Sequence, residues 1–206
     1  MNNPKRIYLI ALFTLSLLFL NSCDNDNDPT NNVCEDTYVS TLITNAFSMG
    51  VYSDFINVDY EIHEYEIRIN ADGEICTIGY QNPGPDTPWV GYAGAYTMEV
   101  INNTSGTSYI GLHTFSQTML DYQAITPVSV ASGDIITVRR ITDAPSIGGF
   151  EATRGRVLQK TDGSPIPYPI TQGNVDFLGS TLYYEGGSSV SNNNFQPYIA
   201  LGFKVN

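Results

Sequence analysis

From about residue 36 onward the chain is a succession of short runs of β-branched and aromatic residues, each bounded by Gly, Pro, Asn or Asp. No amphipathic helix longer than two turns interrupts them. Residues 64–70 show the pattern best, with Tyr65, Ile67 and Ile69 on one side of an extended chain and Glu66 and Arg68 on the other. The Asp-Gly pair in 71–73 predicts a tight hairpin returning through residues 74–80. Further strands are predicted over 37–44, 96–101, 109–115, 135–141, 175–184 and 198–205, with a polar turn at 102–106. A strand over 122–130 contains Pro127 and is therefore expected at a sheet edge or kinked. Residues 132–134 turn into the strand that follows, and a Gly-, Ser- and Asn-rich connector spans 185–194. Two long loops complete the plan: 81–95, with three Pro, three Gly and Trp89, and 143–172, with a short strand at 156–159.

Eight to ten strands in about 170 residues at hairpin spacing predict an all-β fold, an antiparallel β-sandwich. Jelly-roll connectivity is the first expectation and immunoglobulin-like the second. The alternation requires two sheets to close a core between them, because each strand offers one apolar face. Residues 36–206 form a single domain on this reading, with no internal repeat.

The first 35 residues follow other rules. Lys5 and Arg6 precede an apolar run from Ile7 to Leu20. At about 14 residues this run falls short of the roughly 20 that span a bilayer. Residues 1–22 therefore read as a secretory signal peptide. Leu20, Ser22 and Cys23 at its end resemble the lipobox of Gram-negative bacterial lipoproteins, with Asn21 a looser fit. That resemblance implies cleavage before Cys23, lipidation of its thiol, and a protein anchored to the membrane without spanning it. Residues 24–32 hold three Asp, four Asn and no apolar side chain, so 23–35 reads as the lipidated Cys and a flexible acidic tether. An acidic stretch in this position is similar to a surface-export signal, which implies the outer membrane and its outer face. The alternatives are the periplasmic face and inner-membrane retention.

Charge narrows the partners. The chain has 9 basic and 21 acidic side chains, net −12, and removal of Lys5 and Arg6 with the leader leaves about −14. Nucleic acid and an electrostatic hold on anionic lipid both need a basic surface, so neither is expected. The content of 42 % apolar and 12 % aromatic residues excludes a disordered chain. With Cys23 assigned to lipid, Cys34 and Cys76 remain in an oxidising compartment, either bridged or as two free thiols. Cys76 is expected on the strand face of Ile78 and Tyr80.

The segments Ile78-Gly79-Tyr80, 96–101, 130–134 and 197–203 resemble an uncharacterised extracellular β-sandwich domain of bacterial surface proteins, often found beside carbohydrate-active or adhesive modules. The resemblance supports the fold and carries no catalytic residues.

No motif in the chain points to catalysis. His63 and His113 belong to no metal motif, and no G-x-S-x-G elbow is present. A carboxylate pair for glycoside hydrolysis is set by the fold and leaves no spacing signature. The protein is expected not to be an enzyme. Carbohydrate binding is better supported, because sugars stack C–H faces on aromatic rings and need polar partners for their hydroxyls. Trp89 and Tyr92, followed by Tyr96, lie in a Pro-rich loop with Asn82 and Asp86, and Tyr168 stands between two prolines. The competing reading makes Trp89 a packing residue at one end of the sandwich. A structural Ca2+ would draw on Asp59, Glu61, Asp72 and Glu74, or on Asp162; the competing reading leaves these as solvated turn carboxylates. No other cofactor is expected. The sequence thus predicts a lipid-anchored envelope module that binds glycan, or else a structural accessory lipoprotein that binds another envelope protein.

Overall fold

The computed structural model describes residues 34, 43–84, 91–142, 153–184 and 189–206. The expected leader and all of the tether but Cys34, Cys23 included, lie outside the described residues, as do Trp89 and all but the end of the strand expected over 37–44. That end is helical: Ile43–Ala46 form one turn, closed by the Phe47 N–H on the Ile43 carbonyl.

Cys34–Asn206 is an all-β, antiparallel sandwich of thirteen described strands. In chain order they are β1 (Tyr52–Val58), β2 (Ile62–Ile69), β3 (Gly73–Tyr80), β4 (Tyr96–Asn102), β5 (Ser108–His113), β6 (Asp121–Val130) and β7 (Ile135–Thr142). Then follow β8 (Arg154–Lys160), β9 (Ile170–Gln172), β10 (Val175–Tyr183), β11 (Ser189–Asn192), β12 (Phe195–Pro197) and β13 (Ala200–Val205). The large sheet has the order β11-β10-β2-β7-β4-β5, with β9 also on β10. Two three-stranded sheets, β13-β3-β6 and β1-β8-β12, share one core with it.

The period-2 pattern sets the inner face of the large sheet. Tyr65, Val138 and Val100 lie abreast on β2, β7 and β4, and all are fully buried. Ile67 and Ile136 form the next row. Glu64, Arg139 and Glu99 occupy the opposite face, where Arg139 pairs with both carboxylates. The Tyr65 hydroxyl crosses the core and donates to the Ile199 carbonyl at 2.8 Å, joining the large sheet to the approach to β13.

The hairpin expected at 71–73 does not form. β2 and β3 belong to different sheets, and residues 70–72 carry the chain from one layer to the other. Gly73 is not in the left-handed region that a tight hairpin turn would use. Its lack of a side chain serves a close approach, since a Cβ there would lie 2.0 Å from the Lys204 carbonyl oxygen of β13. The polar turn expected at 102–106 does form, as an Asx turn. The Asn102 side-chain oxygen accepts the N–H groups of Thr104 and Ser105, and Gly106 takes φ +79°.

Pro127 sits where it needs no ladder partner. β6 is an edge strand, and its register slips between Ile75↔Val128 and Thr77↔Ala124. β13 slips at the same level, from Gly202↔Thr77 to Phe203↔Ile75. Cys76 is therefore skipped by both neighbours. The bulge shifts the phase of β3, so that Ile75, Ile78 and Tyr80 all face the core. Cys76 leaves that face, contrary to the simple alternation expected of it, and its sulfur is bonded to Cys34 with Cα atoms 5.9 Å apart.

Candidate functional site

The tyrosines that the sequence singled out are held by packing. Tyr96 opens β4 fully buried, with its hydroxyl donating to Asn82 Oδ1 at 2.9 Å. It offers no surface for a ligand to stack on, which corrects its assignment as a binding residue. Tyr92 is half-buried against the core, edge-on to Tyr96 at 5.4 Å. The Asn82 side-chain amide holds the Tyr92 carbonyl at 2.8 Å. Tyr168 lies edge-on to Phe47 and donates to Gln196 Oε1 at 2.7 Å, and burial raises its hydroxyl pKa.

The four carboxylates considered for calcium do not meet. Asp59 and Glu61 precede β2 while Asp72 and Glu74 follow it, and eight strand residues span about 25 Å. Asp59 is fully buried against Arg140, Asp72 accepts the Ser132 N–H at 2.7 Å, and Glu74 lies 3.6 Å from the Lys204 ammonium. Asp162 accepts from the Ser164 N–H and hydroxyl within its own turn. Among the described residues no three His, Cys, Asp or Glu side chains are grouped to hold a metal ion.

His113 is satisfied at both ring nitrogens, by the Tyr109 hydroxyl and by Gln123 Oε1, each at 2.7 Å. His63 is not. It is fully buried on the inner face of β2, its Nε2 is 3.8 Å from Asp59 Oδ1, and neither nitrogen has a hydrogen-bond partner. Burial and the Arg140 charge hold its pKa well below the usual imidazole range, so it is neutral. Beside it Arg140, also fully buried, donates from Nη2 to Asp59 Oδ1 and from Nη1 to the Tyr80 hydroxyl at 2.8 Å. The guanidinium lies between the Tyr80 and Tyr96 rings, at 4.9 and 4.7 Å. Burial raises the Asp59 carboxyl above its ordinary value against the pull of Arg140, and pushes the Tyr80 hydroxyl up to about 12. Gly155 of β8 closes the cluster: a Cβ there would be 2.6 Å from His63 Cε1 and 2.9 Å from Arg140 Nη2. Sealed from solvent, these groups join β2, β3, β4, β7 and β8. The sequence carried a signal for Arg140, because strict alternation from Ile136 and Val138 places it inward and its neighbour Arg139 outward.

The Tyr80 hydroxyl connects this cluster to the surface, for it also accepts the Arg156 backbone N–H at 3.0 Å. Arg156 is on β8, the centre of its sheet, and the Asp54 side chain reaches it from edge strand β1. Its Nε donates to Asp54 Oδ1 at 3.0 Å and to Oδ2 at 2.8 Å, and Nη2 also donates to Oδ2. Nη1 donates to Gln81 Oε1, and the guanidinium stacks 4.7 Å from the Tyr198 ring. The pair stays in contact with solvent, the Arg156 side chain at 20 % exposure and Asp54 at 33 %. A cleft of about 260 Å³ opens on one side, walled by Ile56 and the Gln81–Gly84 segment. An apolar cleft of about 250 Å³ opens on the other, between Phe47, Met49, Leu158 and Tyr198. Nothing in the sequence marked this site, whose members lie 75 and 102 residues apart. Comparison with known protein families and with curated proteins gives no match to this chain.

Proposed function

We propose that the protein is a non-catalytic binding module of the bacterial envelope, lipid-anchored at Cys23 on the outer membrane, with carbohydrate as its ligand class. The anchor and location rest on the lipobox-like ending of the leader and on the acidic tether. The carbohydrate reading is carried by the Asp54–Arg156 cleft. A carboxylate, a guanidinium and an amide meet there beside Ile56 and Pro83, with the ion pair still open to water. Such a site offers donors, acceptors and an apolar wall together, as hydroxyl groups and C–H faces require. Calorimetric titration of the full-length protein in lipid nanodiscs with a panel of polysaccharides tests it. Saturable heat with at least one polysaccharide, lost in Asp54→Ala at unchanged Tm, is expected. Heat that survives Asp54→Ala removes the cleft as the site.

A second reading is favoured by a separate observation. β1 pairs only with β8 among the described strands, and Met49, Val51, Phe55 and Ile56 are exposed along or just before it. An unpaired edge flanked by apolar side chains suits another envelope protein. Silence toward every polysaccharide, with a crosslink from β1 to a protein on intact cells, selects that reading.

A further inference from the structure

We infer that the cleft beside β1 selects uncharged sugar rings that bear two adjacent hydroxyls and discriminates against uronic acids; this rests on the carbohydrate reading above. Arg156 sets the hydrogen-bond capacity of the cleft. A guanidinium has five N–H donors in a planar fork. Its Nε and one Nη2 hydrogen engage Asp54, and one Nη1 hydrogen engages Gln81. Among the described residues nothing takes the other two donors, one on each terminal nitrogen. The Tyr198 ring under the guanidinium fixes the plane in which they lie.

Asp54 complements them. Each of its oxygens accepts from Arg156, and each keeps acceptor capacity on a side chain that is one-third exposed. A hydroxyl both donates and accepts. Two adjacent hydroxyls can therefore accept from the free Arg156 donors and give their own protons to Asp54. A uronate bound through its carboxylate accepts but has nothing to donate, and one bound through its own ring hydroxyls brings its carboxylate up to the Asp54 oxygens.

Charge adds to this. Among the described residues, Asp54 and Arg156 are the charged side chains lining the cleft, and they cancel. The guanidinium is not available as an unpaired cation, while the Asp54 oxygens face any anion that approaches it. The rest of the chain, at net −12, disfavours that approach further. The exposed Ile56 side chain gives the cleft an apolar wall that suits the C–H face of a ring with no charged substituent.

The test is a saturation-transfer NMR titration of the full-length protein in nanodiscs at pH 7. The probes are the methyl glycosides of glucose, galactose and mannose and of the matching uronic acids. At least one neutral glycoside is expected to bind tenfold or more tightly than its uronate. In Asp54→Asn, which keeps the shape and removes the charge, the ratio is expected to fall to threefold or less. A second variant, Gln81→Glu, adds a negative charge on the other side of Arg156 and should widen the ratio. Uronates that bind wild type as well as the neutral glycosides overturn the inference and leave the carbohydrate reading standing. So does a ratio that neither variant moves. Failure of every glycoside to bind overturns the carbohydrate reading itself, and this inference with it.

Discussion

Arg140 is a full positive charge placed among Tyr80, Tyr96 and Met98, none of them exposed. Two of its nitrogens are bonded, to Asp59 and to the Tyr80 hydroxyl, while Nε has no partner. Desolvating such a pair costs several kcal/mol per ion, and the attraction recovers that only while both partners are present. Removing one leaves the other buried and uncompensated. Arg140→Met should therefore lower stability by about 3–5 kcal/mol, whereas the double variant Asp59→Asn with Arg140→Met should lose markedly less than the sum of the two single changes. Urea denaturation of all four proteins measures the coupling, and additive losses would mean that the pair does not act as a unit. His63 sets a further constraint at this site. With both nitrogens unpartnered it is tolerated only as the neutral ring, and Gly155 must stay without a side chain to leave it room.

Strand identity was largely legible in the chain, and strand partnership was not. Tyr65, Ile67 and Ile69 read as an inner face because alternation is a local property, and the three are fully buried. The same rule would have placed Arg140 inward from Ile136 and Val138. Asp72-Gly73, by contrast, encodes a bend and says nothing about which sheet receives the next strand. β3 pairs with β13 and β6, so the bend became a crossing between layers. β1 left no clear alternating signature because Asp54 and the exposed Phe55 and Ile56 break the pattern that burial would impose. The cleft was hidden for a related reason. Asp54, Gln81 and Arg156 are unremarkable singly and are brought together by the pairing of β1 with β8.

The bulge at Cys76 shows an element adapting to a covalent link. Both neighbours of β3 slip there, which frees Cys76 from the core face and allows its bond to Cys34. A closed loop of 42 residues contributes on the order of 4 kcal/mol in the chain-entropy description. Reduction is expected to lower the guanidinium midpoint accordingly, measured with and without a phosphine reductant. A midpoint unmoved by reduction would show that the reduced chain recovers the difference elsewhere.

Three sheets contribute to a single hydrophobic cluster, from Ile43 and Phe47 through Tyr65 and Val138 to Phe203. The small sheets have no separate core to retain once that cluster opens. Thermal unfolding of Cys34–Asn206 is therefore expected as one transition. Near-ultraviolet signals from the buried tyrosines and far-ultraviolet strand signals should superimpose. Two resolved transitions would mean that the sheet of β1, β8 and β12, which carries the cleft, melts on its own. Ligand would then protect that sheet selectively.

The bond between Cys34 and Cys76 also decides how the molecule bears a mechanical load. A pull from the N-terminal side of the chain enters at Cys34 and passes through the sulfurs into β3, the middle strand of its sheet. The intervening chain, with β1 and β2, lies outside the path of the force. Some 42 residues, on the order of 150 Å of contour length, are withheld from extension until the bond is reduced. Tension applied on the N-terminal side is thereby delivered to β3, and β1 and β2 are not peeled away from that side while the bond is intact.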